Sequence, residues 1–130
     1  MSTNEKFRQG DKVSLPVPSG KKSGDPVRVG ILNGVCATDR AKTDVAPTNA
    51  DGTVNATYNA GGGNVTGNAS VWLHGAHDFT VSFAANAGDQ IYILADGSAL
   101  TATAAGNNAY GAALNTKGAT SGVLTVRIQN

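Results

Sequence analysis

One cysteine, one tryptophan and three each of tyrosine and phenylalanine are all that 130 residues hold of the side chains that staple or fill small domains. A lone Cys36 excludes a disulfide framework and paired metal thiolates. Set between Val35 and Ala37, it reads as a small buried hydrophobe and not as a nucleophile. Aromatics make up 5% of the chain, and much of the apolar content is alanine beside 17 glycines. Such residues bury little area each, so part of the stability is expected to come from neighbouring subunits. No apolar run approaches the ~18 residues of a membrane helix, and no apolar stretch of the signal-peptide kind follows Met1. The reading is a protein made in a cytoplasm, with no membrane contact. A formal net charge of +1 supplies no field that would recruit nucleic acid. Eight of the ten basic residues nevertheless fall before residue 43, against four of the nine acidic ones.

Catalytic chemistry is equally scarce. His74 and His77 form the one histidine pair. With only Asp78 nearby as a third donor they fall short of a catalytic zinc set, so no metal and no cofactor is expected. Gly61 to Gly67 is glycine-rich, but the Ala69–Leu73 run behind it reads as a strand, where a phosphate loop needs a helix N-terminus. Gly20-Lys21-Lys22-Ser23 lacks the earlier glycine of a Walker A loop. No nucleophile, base and acid can be grouped from this order, and no catalytic residue is assigned. The Asn-x-Thr/Ser triplets at Asn55, Asn64 and Asn68 reflect loop composition.

What the chain does have is alternation. Val13, Leu15 and Val17; Val27, Val29 and Ile31; Phe79, Val81 and Phe83; and Leu124, Val126 and Ile128 each alternate with other residues, the signal of a half-buried strand. Val71–Leu73 and Ile91–Leu94 read as strands more fully covered. Three strands follow a Gly-Asp pair, at Gly10-Asp11, Gly24-Asp25 and Gly88-Asp89. There glycine can supply a positive φ, and aspartate can bond the backbone two residues on. The stretch SGDPVRVGILNGVCATD is therefore expected to be a corner, a strand, a turn at Gly34 and a second strand. The fold class is all-β, a small single-domain barrel or sandwich of short antiparallel strands. Residues 1–9 form an extended N-terminal arm ahead of the 10–130 domain. An Asn/Gly/Thr-rich segment at 49–68, a long hairpin or loop, is expected to project outward with Tyr58 exposed near its tip.

Four segments, RQGDKV, SGDPVRVGILNGVCATD, AGDQIYILADGSALT and YGAALNTKGATSGVLTVRIQN, occur in the order found in a family of small tailed-phage proteins. The chain resembles that family from Phe7 to Ile128, with Cys36 where alanine is usual. Its understood members are capsid decoration, or cement, proteins, commonly trimers, on the outer shell. A RecA/RadA-like recombinase label sometimes given to the family does not suit a chain without a Walker A loop. The resemblance implies a binding protein of the virion's outer capsid surface, made in the host cytoplasm. Its partners would be the major capsid protein and two further copies of itself, with no nucleic acid or membrane. The contact residues expected are Lys6, Phe7, Arg8, Gln9, Lys12, Lys21 and Lys22, with Phe7 as apolar anchor and the cations steering. An alternative is a virion-surface adhesion module whose Asn/Gly/Thr loop and Tyr58 touch host glycans.

Overall fold

The computed structural model describes residues 11–130. They form β1 (Lys12–Pro16), β2 (Pro26–Val29), β3 (Leu32–Cys36), β4 (Asn68–Trp72), β5 (Ala76–Val81), β6 (Gln90–Ile93), β7 (Leu100–Thr101), β8 (Asn108–Ala113) and β9 (Gly122–Ile128), with one short 3₁₀ turn at Gly61–Gly63. The chain is all-β. Every strand pairing is antiparallel, in two sheets ordered β1-β4-β3-β2 and β5-β9-β8-β6-β7. The edge strands β5 and β7 of the second sheet line one shared cleft, because that sheet curls into a half-barrel.

The two sheets repeat one plan. Leu15 lies opposite Ala69 as Phe79 lies opposite Leu124. Cys36 lies opposite Val71 as Ala113 lies opposite Val126. The turns match bond for bond. Gly24 N–H donates to Cys36 O at 2.7 Å, and Gly88 N–H to Ala113 O at 2.7 Å. The Asp25 and Asp89 carboxylates accept from Lys22 N–H and Asn86 N–H, each at 2.9 Å. Ser23 N–H bonds Asp39 where Ala87 N–H bonds Thr116. Ser70 N–H bonds the Thr38 hydroxyl where Thr125 N–H bonds Asn115. Strands β1–β4 thus form one unit, and β5, β6, β8 and β9 a second of the same topology. At these two strand starts the aspartate caps the backbone three residues before it, not two residues after.

Glycine marks the same place in both units. Gly34 and Gly111 sit inside β3 and β8, where an added Cβ would overlap Val71 and the Trp72 carbonyl, or Val126 and the Arg127 carbonyl. So Gly34 is not a turn, as expected from sequence, but a point of close strand approach. The turn falls earlier, at Gly30 and Ile31. Gly30 takes φ +62°, the first-position glycine of a type II′ hairpin, and Ile31 is 83% exposed at the tip.

The cores correspond as well. Val17, Val27, Cys36, Ala69 and Val71 are buried in the first unit, with Leu15, Val29 and Leu73 against them. Phe79, Ile91, Ile93, Ala113, Leu124, Val126 and Ile128 fill the second, joined by Tyr110, Leu100 and β3's Val35. The units meet where β3 crosses β8. A β-bulge opposite Ile91 and Tyr92 leaves Tyr110 as the extra residue of β8, which re-aims its side chain. The Tyr110 hydroxyl donates to Gly34 O at 2.6 Å, and the ring meets Phe79 edge-on at 6.0 Å. Buried Asn33 donates to Ala109 O and Gln129 O and accepts from Arg28.

The connections are where the units differ. β3 reaches β4 through residues 37–67, β8 reaches β9 through 114–121, and β7 is inserted between β6 and β8. The 37–67 excursion takes the hairpin form of the two that the sequence allows. Bridges at Lys42–Asn59 and Thr48–Val54 make it a narrow hairpin. Asp51, Asn55 and Asn59 each accept from the backbone two residues on, at Thr53, Thr57 and Gly61. Its tip is Asn49–Thr53, and Tyr58 lies half-buried nearer the base, correcting the expectation of an exposed tip tyrosine. Gly61 is buried against Ala41, and Asn64 bonds Ser70, so the returning half packs on the first sheet.

Candidate docking surfaces

The basic residues divide into structural and free. Lys21 is 7% exposed, its ammonium donating to Pro26 O and Gly97 O at 2.7 Å each. Its place in the first unit is that of Ala85 in the second: Arg40 N–H bonds Lys21 O as Lys117 N–H bonds Ala85 O. The Lys21 ammonium is committed to tying the first unit to the β6–β7 turn, and its expected part in a contact surface is corrected on that ground. Arg40 and Lys117, equivalent in the two units, hold the Val17 and Phe83 carbonyls. Lys22 remains exposed, 4.0 Å from Asp39. Lys6, Phe7, Arg8 and Gln9 lie outside the described residues.

Lys12 begins β1 with its ammonium 5.0 Å from the centre of the Trp72 ring, an attraction worth about 0.5–1 kcal/mol at an exposed site. Beside it, Asp11 lies 3.8 Å from the exposed His74 imidazole. This corner combines one aromatic face with cationic and acidic groups, where the chain leaves for residues 1–10. β1 is an edge strand. Lys12 and Pro16 at its two ends discourage indiscriminate pairing along it.

A second surface is the open cleft of about 570 Å³ between β5, β7 and the Ser23–Pro26 turn. Phe79, Val81, Phe83 and Leu100 line it, with Asp25 and Asp78 as its charged groups. Both carboxylates are in use, Asp25 on Lys22 N–H and Asp78 on the Thr125 hydroxyl at 2.6 Å. The cleft offers apolar contact and backbone edges to an extended segment. A third surface is the outer side of β9 and the end of β8, where Leu114 and Val123 are 51% and 54% exposed.

Reactive groups are muted. Burial pushes the Cys36 thiol up to about 11, so it stays protonated and unreactive at neutral pH. Burial likewise raises Tyr110. Asp39 is held below its usual value of 3.8, first by Ser23 N–H and then by the Asn59 amide. His77 bonds the His74 carbonyl at 3.1 Å instead of turning toward a shared ligand. Among the described residues, no three His, Cys, Asp or Glu side chains gather closely enough to hold a metal ion. The Asn residues of the three Asn-x-Thr/Ser triplets are all engaged, Asn55 with Ala46 and Thr57, Asn64 with Ser70, and Asn68 with Ser14. Comparison of the chain with protein families, curated proteins and solved structures finds no match.

Proposed function

We propose that this protein is a decoration protein of a tailed-phage capsid, binding the major capsid protein on the outer shell. The motif order along the chain suggests the class. The Lys12–Trp72 corner at the start of β1 carries the reading, because it sets a cation on an aromatic platform where the Lys6–Gln9 segment joins the described residues. Phe7 would anchor in an apolar recess of the shell, with Lys6, Arg8, Lys12 and Lys22 steering the approach. Modest contacts from each copy, engaged together in a trimer, give avidity beyond one site. No catalytic step, cofactor or nucleic acid enters this function.

The test is co-sedimentation with shells stripped of decoration. The full chain should saturate them at a fixed ratio. Lys12→Glu, and separately removal of residues 1–9, should weaken binding at least tenfold, while Lys12→Glu lowers stability by no more than about 1 kcal/mol. Equal binding by both variants, or binding to host envelope with none to shells, would overturn the proposal. The second result would favour the glycan-adhesion reading.

A further inference from the structure

The repeat of one plan exposes a difference in how its two copies are finished. In the first unit, the side of β4 turned away from the core carries Ser70, and the chain's own 37–67 excursion lies over it. Asn64 donates to the Ser70 hydroxyl at 3.1 Å, and an added Cβ on Gly62 would overlap the Thr38 methyl. In the second unit the matching side carries Thr125, flanked by Leu114 and Val123. The connection beside it, residues 114–121, is far shorter than the 37–67 excursion and is bridged at Lys117 to Ala85. Leu114 stands where the first unit has Ala37, and Val123 where it has Asn68. At these two positions the first unit is small or polar and the second carries larger apolar side chains, half exposed; further along the same sides Trp72 is matched by Arg127, and Asp78 lies beside Thr125. Adjacent exposed apolar side chains on a folded surface mark a place of contact.

The same chain carries a segment suited to that face. The excursion that covers the first unit holds up Val54 and Val65, 79% and 68% exposed. We propose that the Leu114–Val123 face receives the 37–67 excursion of a second copy, Val54 and Val65 packing where the second unit has no cover of its own. The two surfaces lie on different units, so the contact is head-to-tail. Each addition leaves one face and one excursion free, so assembly continues past a dimer, ending only where the rotation between copies closes a ring. This goes beyond the capsid reading and needs no shell.

The experiment is sedimentation of the purified full chain at tens of micromolar, without capsids. The wild type should run at a multiple of 13.1 kDa. Val123→Glu should run as a monomer with an unchanged circular dichroism spectrum, and so should Val65→Glu. An equimolar mixture of the two variants retains one good face and one good excursion, and should form a dimer and nothing larger. Should Val123→Glu fold poorly, Val123→Thr, which keeps the shape, should show at least tenfold weaker association. A monomeric wild type, as when residues 1–10 of the same chain cover the face, would overturn the proposal. Undiminished association of the variants, or a mixture that stays monomeric, would do the same.

Discussion

Leu15, Val27 and Ala69 in the first unit stand where Phe79, Ile91 and Leu124 stand in the second. The strand pairings are equivalent, yet the second interior is built from larger side chains. The first makes up the deficit from outside its own strands. The buried Lys21 side chain stands where the second unit has Ala85, and the 37–67 excursion covers its outer face. The second unit receives Tyr110 and Leu100 inside and leaves its outer face bare. Backbone hydrogen bonding and the two close-approach glycines define this plan, while buried volume can be supplied by strands, by a lysine side chain or by an insertion.

The strongest break in the comparison is Leu124→Ala, which gives the second core the residue that the first carries at Ala69. It should cost about 2–5 kcal/mol in chemical denaturation; a cost below 1 would mean the first unit's small core is no handicap. Next come Gly34→Ala and Gly111→Ala, each expected to cost about 1–3 kcal/mol through overpacking against the neighbouring strand. Similar losses at both would support the equivalence, and a loss at only one would break it. Lys21→Met keeps an apolar stem but drops two donated bonds, and should cost about 1–2 kcal/mol. Asp39→Thr copies Thr116 of the second unit. Because the folded Asp39 carboxyl lies below 3.8, its contribution is present above about pH 4 and is lost as pH falls through the lower folded value. The variant should therefore flatten the acid side of a stability–pH curve, and an unchanged slope would remove Asp39 as its source. Smallest of all, replacing the Asn49–Thr53 tip by a two-residue Asn-Gly turn should change stability by less than about 0.5 kcal/mol. A deletion extending to Asn68 would also take Gly61 and Asn64, and should be far more damaging.

Alternation made β1, β2, β5 and β9 legible, and the short apolar runs Val71–Leu73 and Ile91–Leu94 marked β4 and β6. β8, Asn108–Ala113, was hidden because small residues and glycine fill it and its one large side chain, Tyr110, sits on a bulge. The repeated plan left a trace in Gly24-Asp25 and Gly88-Asp89, but general turn chemistry accounts for such pairs equally well. Insertions at different points then put the remaining equivalent residues out of step. Burial of Lys21 could not be read either. Two lysines side by side in a Gly/Ser turn look alike until a carbonyl from Gly97, far along the chain, selects one. The asparagine-rich excursion was legible as a hairpin, but its packing on the first sheet was not, since the side chains that suit a surface loop also tie one to itself through Asx turns.

The crossing of β3 and β8 bears on how the molecule comes apart. A chain of two like halves has the makings of two separate melting transitions. Here, opening the first half strips the buried Tyr110 hydroxyl of its acceptor on Gly34, and opening the second strips the Asn33 amide of both its carbonyl partners. A buried polar group left without a partner carries a penalty of about 1–3 kcal/mol. Each half therefore raises the cost of losing the other, and calorimetry should record a single cooperative transition.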